Sequence, residues 1–155
     1  MQVEMTEIVM PGHTNHLGTC FGGTIMSWID IAAAIAAQRL VGTVVTASVD
    51  SIQFKKPIKL GDIVTIKASV NRIWDSSLEV GVVVFVQRFS NGKLLSDQRV
   101  CRAYLTFVAI SEDGEKRSVE PFNKALIKRT ESNLLWKIRY DSADERRNKR
   151  LERKV

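Results

Sequence analysis

The sequence predicts an α+β fold in which an antiparallel sheet of five or six strands wraps around one long central helix, with a further helix at the C-terminus. Two observations carry this prediction. Residues 21–40 are apolar on nearly every side of a helix, and the segments that follow alternate with a period of two. The chain has 155 residues, 45% hydrophobic and 26% charged, which suits one ordinary soluble domain. We expect this domain over residues 1–122 and a helical basic tail over residues 123–155.

The central helix is predicted from the alanine, isoleucine, methionine and tryptophan residues that dominate residues 21–40. Gly22 and Gly23 stand at its start, and Gly42 follows its end. A helix that is apolar nearly all round is enclosed by other structure rather than lying on a surface. Asp30 lies in the middle of this segment, where an ionised carboxylate away from water is costly unless a partner stabilises it.

The sheet is predicted from segments rich in Val, Ile, Thr and Phe that are separated by residues typical of turns. These segments are residues 43–54, 62–73, 77–89 and 97–110. The pair Asn91-Gly92 indicates a hairpin between the last two, and residues 3–9 supply a short fifth strand at an edge. Residues 80–86 are apolar on both faces, so one face is expected to cover the helix and the other to meet neighbouring protein. Open sheet edges favour pairing of two copies.

A second, mostly polar helix is predicted over residues 121–150. Its expected apolar anchors are Leu126, Ile127, Leu134, Leu135, Trp136 and Ile138. From residue 137 onward, eight Lys/Arg stand against four Asp/Glu, so the tail carries most of the net charge of +6. Such a tail is able to bind nucleic acid, but its mixed signs and the lack of interleaved aromatics favour a solvated, fraying helix. We expect no nucleic-acid partner and a tail that is dispensable for activity.

Several other classes of protein are not expected. The first residues carry two glutamates and no basic cluster ahead of an apolar run, so we expect no secretion signal and a cytoplasmic location. The weakly polar stretch at residues 25–37 is shorter than the roughly 20 residues that cross a bilayer, so we expect no membrane partner. Cys20 and Cys101 are expected to be buried free thiols, and two histidines make a metal site unexpected.

Three separated blocks, HTNHLGTCFGGTIMSWID, VTASVDSIQFKKPIKLGDIV and SSLEVGVVV, occur in this order within residues 3–122. Together they resemble the acyl-CoA hydrolases of the hotdog superfamily, which include the cytosolic acyl-CoA thioesterases of animals and their short bacterial relatives. The resemblance implies a hotdog fold and a homodimer with one continuous sheet and two active sites at the interface, assembled further as a trimer of dimers. It also implies hydrolysis of a fatty acyl-CoA to a free acid and coenzyme A, without a metal or other cofactor.

Four residues form the candidate catalytic set: Asn15, Gly22, Gly23 and Asp30. Free N–H groups at a helix start favour negative charge, and the resemblance assigns the thioester oxyanion to the N–H of Gly23, with Gly22. Asp30 lies about 12 Å further along the helix at roughly 1.5 Å per residue. The resemblance bridges this gap by symmetry, because the acid of one protomer serves the helix start of the other. Asp30 is then the general base that activates water, or the nucleophile of a transient anhydride.

Asn15 matches a family asparagine that orients water or the substrate carbonyl, a task that suits an amide. Each of these residues also has a plain structural explanation. Asn15 suits a turn, the glycines allow close packing of helix and sheet, and Asp30 is explained as a buried, hydrogen-bonded acid. His13 and His16 lie in the same loop without a third ligand and are left out of the catalytic set.

The coenzyme A moiety of the substrate needs a site of its own. The segments that match family contacts consist of Val49, Asp50, Ser51, Ser76, Ser77 and Leu78. Its phosphates require Lys or Arg, and the candidates are Lys55, Lys56, Arg72, Arg88 and Arg102. For each of these cations, solvated surface is the alternative explanation.

Two alternatives to a thioesterase were weighed. Hydratases and dehydratases of the same superfamily need a histidine motif, which this chain lacks. A non-catalytic acyl-CoA-binding or sensing hotdog protein is the other alternative, and the combination of Asn15, Gly23 and Asp30 favours an enzyme over it. The acyl chain-length preference depends on packing that the sequence does not specify.

Overall fold

A computed structural model describes residues 2–131 and 133–153. The described residues form five strands, β1 (Gln2–Ile8), β2 (Val44–Phe54), β3 (Ile63–Ile73), β4 (Ser77–Ser90) and β5 (Lys93–Ala109). They also form three α-helices, α1 (Gly22–Val41), α2 (Asn123–Glu131) and α3 (Leu134–Glu152), and two short 3-10 helices at Pro11–His13 and Glu120–Phe122. The α+β prediction is confirmed, and so is the fifth strand at the N-terminus.

The strands form a single antiparallel sheet in the order β1-β3-β4-β5-β2. The hairpin between β4 and β5 turns at Asn91 and Gly92, which both adopt positive φ, as this turn requires. The strand β5 begins four residues earlier than predicted, because its pairing with β4 continues to the turn. The order leaves β1 and β2 at the two edges of the sheet. The edge strand β2 follows α1 directly in the sequence.

The helix α1 lies against the inner face of the sheet and contacts all five strands. Its buried residues are Ile25, Trp28, Ile29, Ala32, Ala33, Ala36, Ala37 and Val41. On β4 the face that covers the helix consists of Val80, Val82, Val84 and Val86, which are all buried. The small alanine side chains allow the curved sheet to approach the helix closely, and the core is formed between them.

The helix α1 has 20 residues and is apolar, so by length and composition it could cross a membrane. The sequence argument that this segment is too short is therefore wrong, since the helix extends beyond residues 25–37 on both sides. Core helices of folded domains pass the same test of length and composition. In this chain the helix packs against the sheet, which accounts for its apolar character.

The C-terminal segment differs from the prediction in its division. The single helix expected over residues 121–150 is two helices, and α3 begins afresh after Asn133. The side chain of Asn133 accepts hydrogen bonds from the backbone N–H groups of Leu135 and Trp136, the geometry of a helix N-cap. Asparagine at this position ends one helix and starts the next because its side chain replaces the missing backbone acceptor.

The helix α3 packs on the sheet and is not a fraying tail. The prediction that its leucines and isoleucine anchor it is mostly wrong. Leu134, Leu135 and Ile138 are 73%, 67% and 55% exposed, whereas Ala143 is fully buried. Its arginines face the outer surface of the sheet, where Arg146 forms an ion pair with Glu79 on β4. The helix therefore docks through Ala143, Tyr140 and its arginines rather than through the predicted leucines, and the sheet presents carboxylates to those arginines.

The Glu79 carboxylate shows how the outer surface is built. It is 1% exposed and accepts two hydrogen bonds from Arg146, at 2.6 and 2.8 Å, and one from the Asn71 amide at 2.9 Å. Burial alone lowers the pKa of Arg146, but the hydrogen bonds and charge of Glu79 outweigh it and raise that pKa above its ordinary value. A Cβ at Gly81 would lie 2.5 Å from the Asn71 amide nitrogen, so glycine is required beside this cluster.

Candidate active site

Asp30 lies on α1 with its side chain half-buried, directed toward β2. Its Oδ1 accepts a hydrogen bond of 2.8 Å from the hydroxyl of Thr46. The second carboxylate oxygen, Oδ2, receives no hydrogen bond from any residue within 2–131 and 133–153, so it is available to a water molecule or a substrate. Sequence reasoning missed Thr46. The signal was a polar residue two positions after the buried Val44, on the face of the strand that turns toward the helix.

Gly22 and Gly23 form the first turn of α1, as predicted. No side chain caps this helix start, and neither glycine N–H reaches an acceptor in the part of the chain that the structure describes. A Cβ at Gly23 would meet nothing within 4 Å, and one at Gly22 would make only an ordinary contact with Phe54. Close packing of helix and sheet therefore does not explain the glycines. The geometry offers two free donors at the positive end of a helix in open space.

Asn15 lies in the loop ahead of α1, and its carboxamide oxygen is fully used there. That oxygen accepts from the N–H of Leu17 at 2.9 Å, and from the N–H and hydroxyl of Thr19 at 3.2 and 3.1 Å. These bonds form the turn that the structural explanation required. The amide nitrogen donates to no described residue, so the same side chain keeps two N–H donors for a ligand.

His13, which was left out of the catalytic set, makes structural contacts in this loop. Its Nδ1 accepts from the backbone N–H of Met10 at 3.1 Å, and its ring meets the edge of Trp28 with centroids 5.1 Å apart. Its carbonyl oxygen accepts from the N–H of Phe21, the residue before the helix. His13 thereby connects the loop carrying Asn15 to the helix start. Groups of three or more metal-ligating side chains are not found among the described residues.

One copy of the chain does not bring the catalytic candidates together. Asp30 is eight residues from Gly22 in a continuous helix, which places it about 12 Å along the axis. Its hydrogen-bond partner is Thr46, and no hydrogen bond joins Asp30 to Asn15, Gly22 or Gly23 within the described chain. The candidate residues therefore lie in two separate places along α1 and the loop before it.

The strand β2 lies beside both of these places and is irregular. Its pairing with β5 shifts register twice, between Thr46 and Ser48 and between Val49 and Ser51. Its outer edge pairs with no strand of the described chain. Three apolar side chains on or near this edge, Val45, Val49 and Phe54, are exposed, and so are Phe21, Met26 and Ile31 on α1 and immediately before it. Exposed apolar groups next to a free strand edge indicate a surface for protein contact.

The residues predicted to contact coenzyme A differ in how accessible they are in the structure. Val49 and Ser51 are exposed on β2, while Asp50 is paired with Arg150 of α3. Ser76 and Ser77 lie at the turn into β4, where their carbonyl groups accept backbone bonds from Ala109 and Trp74. The Leu78 side chain is buried in the core, which leaves only its backbone for a contact.

Two of the five candidate phosphate cations already have carboxylate partners. Arg88 makes two hydrogen bonds to the buried Asp62, at 2.7 and 2.6 Å, and the hydrogen bond raises the pKa of Arg88. Arg72 pairs with Asp144 at 2.9 Å and stacks on Tyr140. Lys56 donates to Gln98. Lys55 and Arg102 are exposed, so these two are the best placed to meet a phosphate.

A cavity of about 670 Å³ lies on the outer face of the sheet beside α3. Its lining includes the aromatic rings of Phe85 and Tyr104 and five cationic side chains, Lys67, Arg99, Arg102, Arg139 and Arg146. Val83 and Phe85, the outward residues of β4, are half-buried in it. Asp30 and Thr46 are not part of this lining, so the cavity is separate from the candidate active site.

Cys20 and Cys101 are free thiols, as expected, with Cys101 buried and Cys20 half-buried. Burial raises the pKa of both thiols above the ordinary value for cysteine. A thiol with a raised pKa is a poor nucleophile at neutral pH, so neither cysteine is a candidate nucleophile.

Comparison with known proteins identifies the family. A sequence profile of the thioesterase superfamily matches residues 17–88, which include Gly22, Gly23, Asp30 and Thr46. An acyl-CoA thioester hydrolase of Haemophilus influenzae is 36% identical over 113 residues, which are 72% of this chain and 73% of that protein. The chain belongs to the acyl-CoA thioester hydrolases. The predicted resemblance is thereby confirmed.

Longer proteins of this family are also similar. Acyl-coenzyme A thioesterase 11 of mouse is 40% identical over 151 residues, which are 97% of this chain and 24% of that protein. The chain therefore spans about a quarter of the length of this relative, and 26% of the mouse acetyl-coenzyme A thioesterase. These relatives carry other sequence in addition to the part that this chain matches.

Solved structures of the family confirm the hotdog fold. An acyl-CoA hydrolase of Staphylococcus aureus, solved with butyryl coenzyme A and coenzyme A, is 36% identical with a TM-score of 0.82, covering 99% of this chain and 88% of that one. Variants of that hydrolase with an aspartate, an asparagine or a threonine changed to alanine have also been solved. A hexameric hotdog thioesterase of Campylobacter jejuni is 38% identical with a TM-score of 0.72, covering 78% of this chain and 92% of that one.

Proposed function

We propose that this protein hydrolyses fatty acyl-CoA thioesters to a free fatty acid and coenzyme A, with Asp30 as the reacting carboxylate. The observation that carries the proposal is the half-buried Asp30, held at one oxygen by Thr46 and free at the other. Family membership supports it, and the Staphylococcus aureus relative was solved with butyryl coenzyme A and coenzyme A.

The spacing of the candidate residues gives a second line of support. In that relative the asparagine and the aspartate replaced by alanine are separated by 15 positions, 43 minus 28. Asn15 and Asp30 are separated by the same 15 positions, 30 minus 15, in this chain. Two of the three residues replaced in the relative therefore correspond in type and spacing to the pair that the sequence singled out, whereas the replaced threonine, 17 positions after the aspartate, 60 minus 43, falls at Ala47.

Asp30 acts in one of two ways. As a general base, its free Oδ2 takes a proton from water while the water oxygen attacks the thioester carbonyl carbon. As a nucleophile, the carboxylate itself attacks that carbon and forms an anhydride, which water then hydrolyses. In both cases the C–S bond breaks and coenzyme A leaves as a thiolate, which needs no strong acid because a thiol has a pKa near about 8.5. The Thr46 hydroxyl fixes the orientation of the carboxylate.

The oxyanion is proposed to bind at the start of α1. The N–H groups of Gly22 and Gly23 lack acceptors among the described residues, and the helix dipole favours negative charge there. One such donor is worth roughly 3 kcal/mol of transition-state stabilisation in other acyl-transfer enzymes. The free amide donors of Asn15 are placed in the adjacent loop to orient the carbonyl or the attacking water.

A complete site is proposed to form between two copies. The 12 Å separation of Asp30 from its own helix start, at about 1.5 Å per residue, prevents direct cooperation within one chain. Pairing of two β2 edges would continue the sheet, cover the exposed Val45 and Val49, and bring each Asp30 near the other copy's glycines. We further propose that three such dimers form a hexamer, the state named for the Campylobacter jejuni relative.

The remaining expectations are proposals of the same kind. We expect turnover without a metal or other cofactor, a cytoplasmic location, and no membrane or nucleic-acid partner. Turnover that survives dialysis against a chelator would support the first of these. The phosphates of coenzyme A are proposed to meet Lys55 and Arg102, because Arg72 and Arg88 are engaged with carboxylates.

The test is release of free thiol from a panel of acyl-CoA substrates of increasing chain length. Asp30→Asn should lower kcat by about 10²- to 10⁴-fold, the range for loss of a general base, while leaving the fold intact. Asp113→Asn, in an exposed loop, is the matched control and should retain wild-type turnover. Wild-type protein that binds acyl-CoA but releases no thiol would contradict the proposal and identify a non-catalytic acyl-CoA-binding protein instead.

A further inference from the structure

A buried polar cluster joins the C-terminal helix α3 to the edge strand β2. The Asp50 carboxylate, 9% exposed, accepts hydrogen bonds from the hydroxyls of Ser48 at 2.7 Å and Thr106 at 3.1 Å. Arg150, 16% exposed, forms an ion pair with Asp50 at 3.3 Å. Its Nη1 also donates to the hydroxyls of Ser48 and Thr106. A single guanidinium nitrogen thus connects three side chains on two strands.

The cluster lies where β2 is irregular. Thr46 pairs with Phe107 and Ser48 with Thr106, so Ala47 has no partner on β5. Val49 pairs with Leu105 and Ser51 with Tyr104, so Asp50 has none either. Ala47 and Asp50 are therefore the extra residues of two β-bulges, three positions apart. Bulges next to active sites change the direction in which neighbouring side chains point.

Thr46 immediately precedes the first bulge and donates to Asp30. Because side chains alternate between faces of a strand, a shift of one residue would turn the Thr46 hydroxyl away from α1. The position of Thr46 consequently depends on what holds the bulged segment in register. On the outer face of the sheet, opposite Asp30, the contacts that hold the bulged segment of β2 are those made by Asp50.

We propose that Arg150 is a positioning residue of the active site: by holding Asp50 at the second bulge, it fixes the register of β2 and thereby the Thr46 hydroxyl that orients Asp30. The inference rests on the proposed thioesterase function. It assigns to the C-terminal helix a task in catalysis that its basic composition does not suggest.

Docking of α3 does not depend on Arg150 alone. Arg146, one turn earlier, is bonded twice to Glu79 on the interior strand β4 and stacks on Tyr104. Arg139 donates to Ser69 on β3. These contacts hold the helix on the sheet, whereas Arg150 reaches the edge strand beside the site. Loss of Arg150 should therefore release the bulged segment while the helix stays bound.

The principal experiment compares Arg150→Gln with Arg139→Gln. The first removes the ion pair to β2, and the second removes an arginine of the same helix that contacts β3. For Arg150→Gln we expect kcat to fall about 10- to 100-fold, the consequence of misplacing a reacting group by a fraction of an ångström to one ångström. KM should change by less than about threefold, since binding is retained. Arg139→Gln should keep the wild-type kcat.

Two further variants separate positioning from a general structural effect. Arg150→Lys should retain most of kcat, because all four contacts are made by one nitrogen and an ammonium carries three donors. Asp50→Asn should lower kcat as Arg150→Gln does, and the double variant should be no worse than either single one. If Arg150→Gln does not fold, Asp50→Asn supplies the comparison from the strand side.

Amide hydrogen exchange gives a readout that does not depend on turnover. Exchange at residues 46–51 should be faster in Arg150→Gln than in wild type, and unchanged there in Arg139→Gln. A wild-type kcat and wild-type exchange in Arg150→Gln would overturn the inference. A wild-type protein without thioesterase activity would overturn the proposed function instead, and the exchange comparison would still decide whether Arg150 holds β2.

Discussion

The two faces of the sheet are held by different kinds of interaction. The inner face packs Val80, Val82, Val84 and Val86 in one apolar cluster with the alanines of α1. The outer face carries the carboxylates Asp50 and Glu79, each nearly inaccessible to water and each matched by an arginine of α3. Apolar packing is additive and tolerant of small changes, whereas a buried ion pair depends on both partners. The two faces should therefore respond differently to substitution.

The largest effect is expected from Arg146→Gln on the outer face. The change leaves the Glu79 charge buried without its partner, which should lower the free energy of unfolding by about 3–5 kcal/mol. Urea denaturation measures this loss. Arg146→Met combined with Glu79→Leu is the control, because replacing both charges by apolar groups should recover most of the stability. A single variant that loses less than about 1 kcal/mol would show that water reaches Glu79 and that the two faces are less different than proposed.

The next effect in size concerns how α3 is held in place on the outer face. Asn133→Ala removes the cap at the start of α3 and should cost about 1 kcal/mol. Asn133→Asp, which keeps an acceptor oxygen, should restore the helix. Since the cap is local, limited proteolysis should show earlier cleavage near residues 133–138 with the sheet intact. Equal protection of the two variants would contradict a capping role.

A smaller, graded effect is expected on the inner face. Ile29→Val removes one buried methylene from α1 and should lower the free energy of unfolding by about 0.5–1.5 kcal/mol. Ile29 adjoins Asp30 in the sequence, but its side chain is buried in the core and Asp30 is held by Thr46. The kcat of this variant should therefore remain at the wild-type value. A large loss of kcat in this variant would mean that inner-face packing, rather than Thr46, sets the position of Asp30.

The smallest change in stability, with the opposite sign, is expected at the helix start. Gly23→Ala should leave the free energy of unfolding unchanged or raise it by up to about 0.5–1 kcal/mol, because alanine favours helix and its methyl group meets nothing. Turnover should nevertheless fall, since the methyl group occupies the space proposed for the thioester. Ser27→Ala, one turn later on the same helix, is the control. Unimpaired turnover in Gly23→Ala would argue against the oxyanion assignment.

The inner face was predictable from sequence because its information is local and periodic. The alternation along residues 77–89 and the alanine content of residues 21–40 specify which side chains meet without reference to distant positions. For the same reason the five strands and the hairpin at Asn91-Gly92 were predicted close to their observed bounds.

The outer face and part of the site were not predictable because they depend on pairs far apart in the chain. Arg146 and Glu79 are 67 positions apart, and Arg150 and Asp50 are 100 apart, and no periodicity marks either pair. The apolar residues of α3 were consequently taken for its anchors, although Leu134 and Leu135 are largely exposed. Thr46 was missed because its bond to Asp30 is made across the packing of helix on sheet, beside a bulge that sequence patterns do not mark.

The order of synthesis gives the cluster at Asp50 a further consequence. Residues 2–109, which include both outer-face carboxylates and the proposed catalytic residues, are synthesised before the arginines of α3. Until α3 docks, Asp50 and Glu79 lack these cationic partners. If Arg150 holds the register of β2 as proposed, a chain that stops before α3 would contain the proposed catalytic residues without the contact that aligns them. On the proposed mechanism, α3, which follows the sheet in the sequence, completes a site that begins on α1.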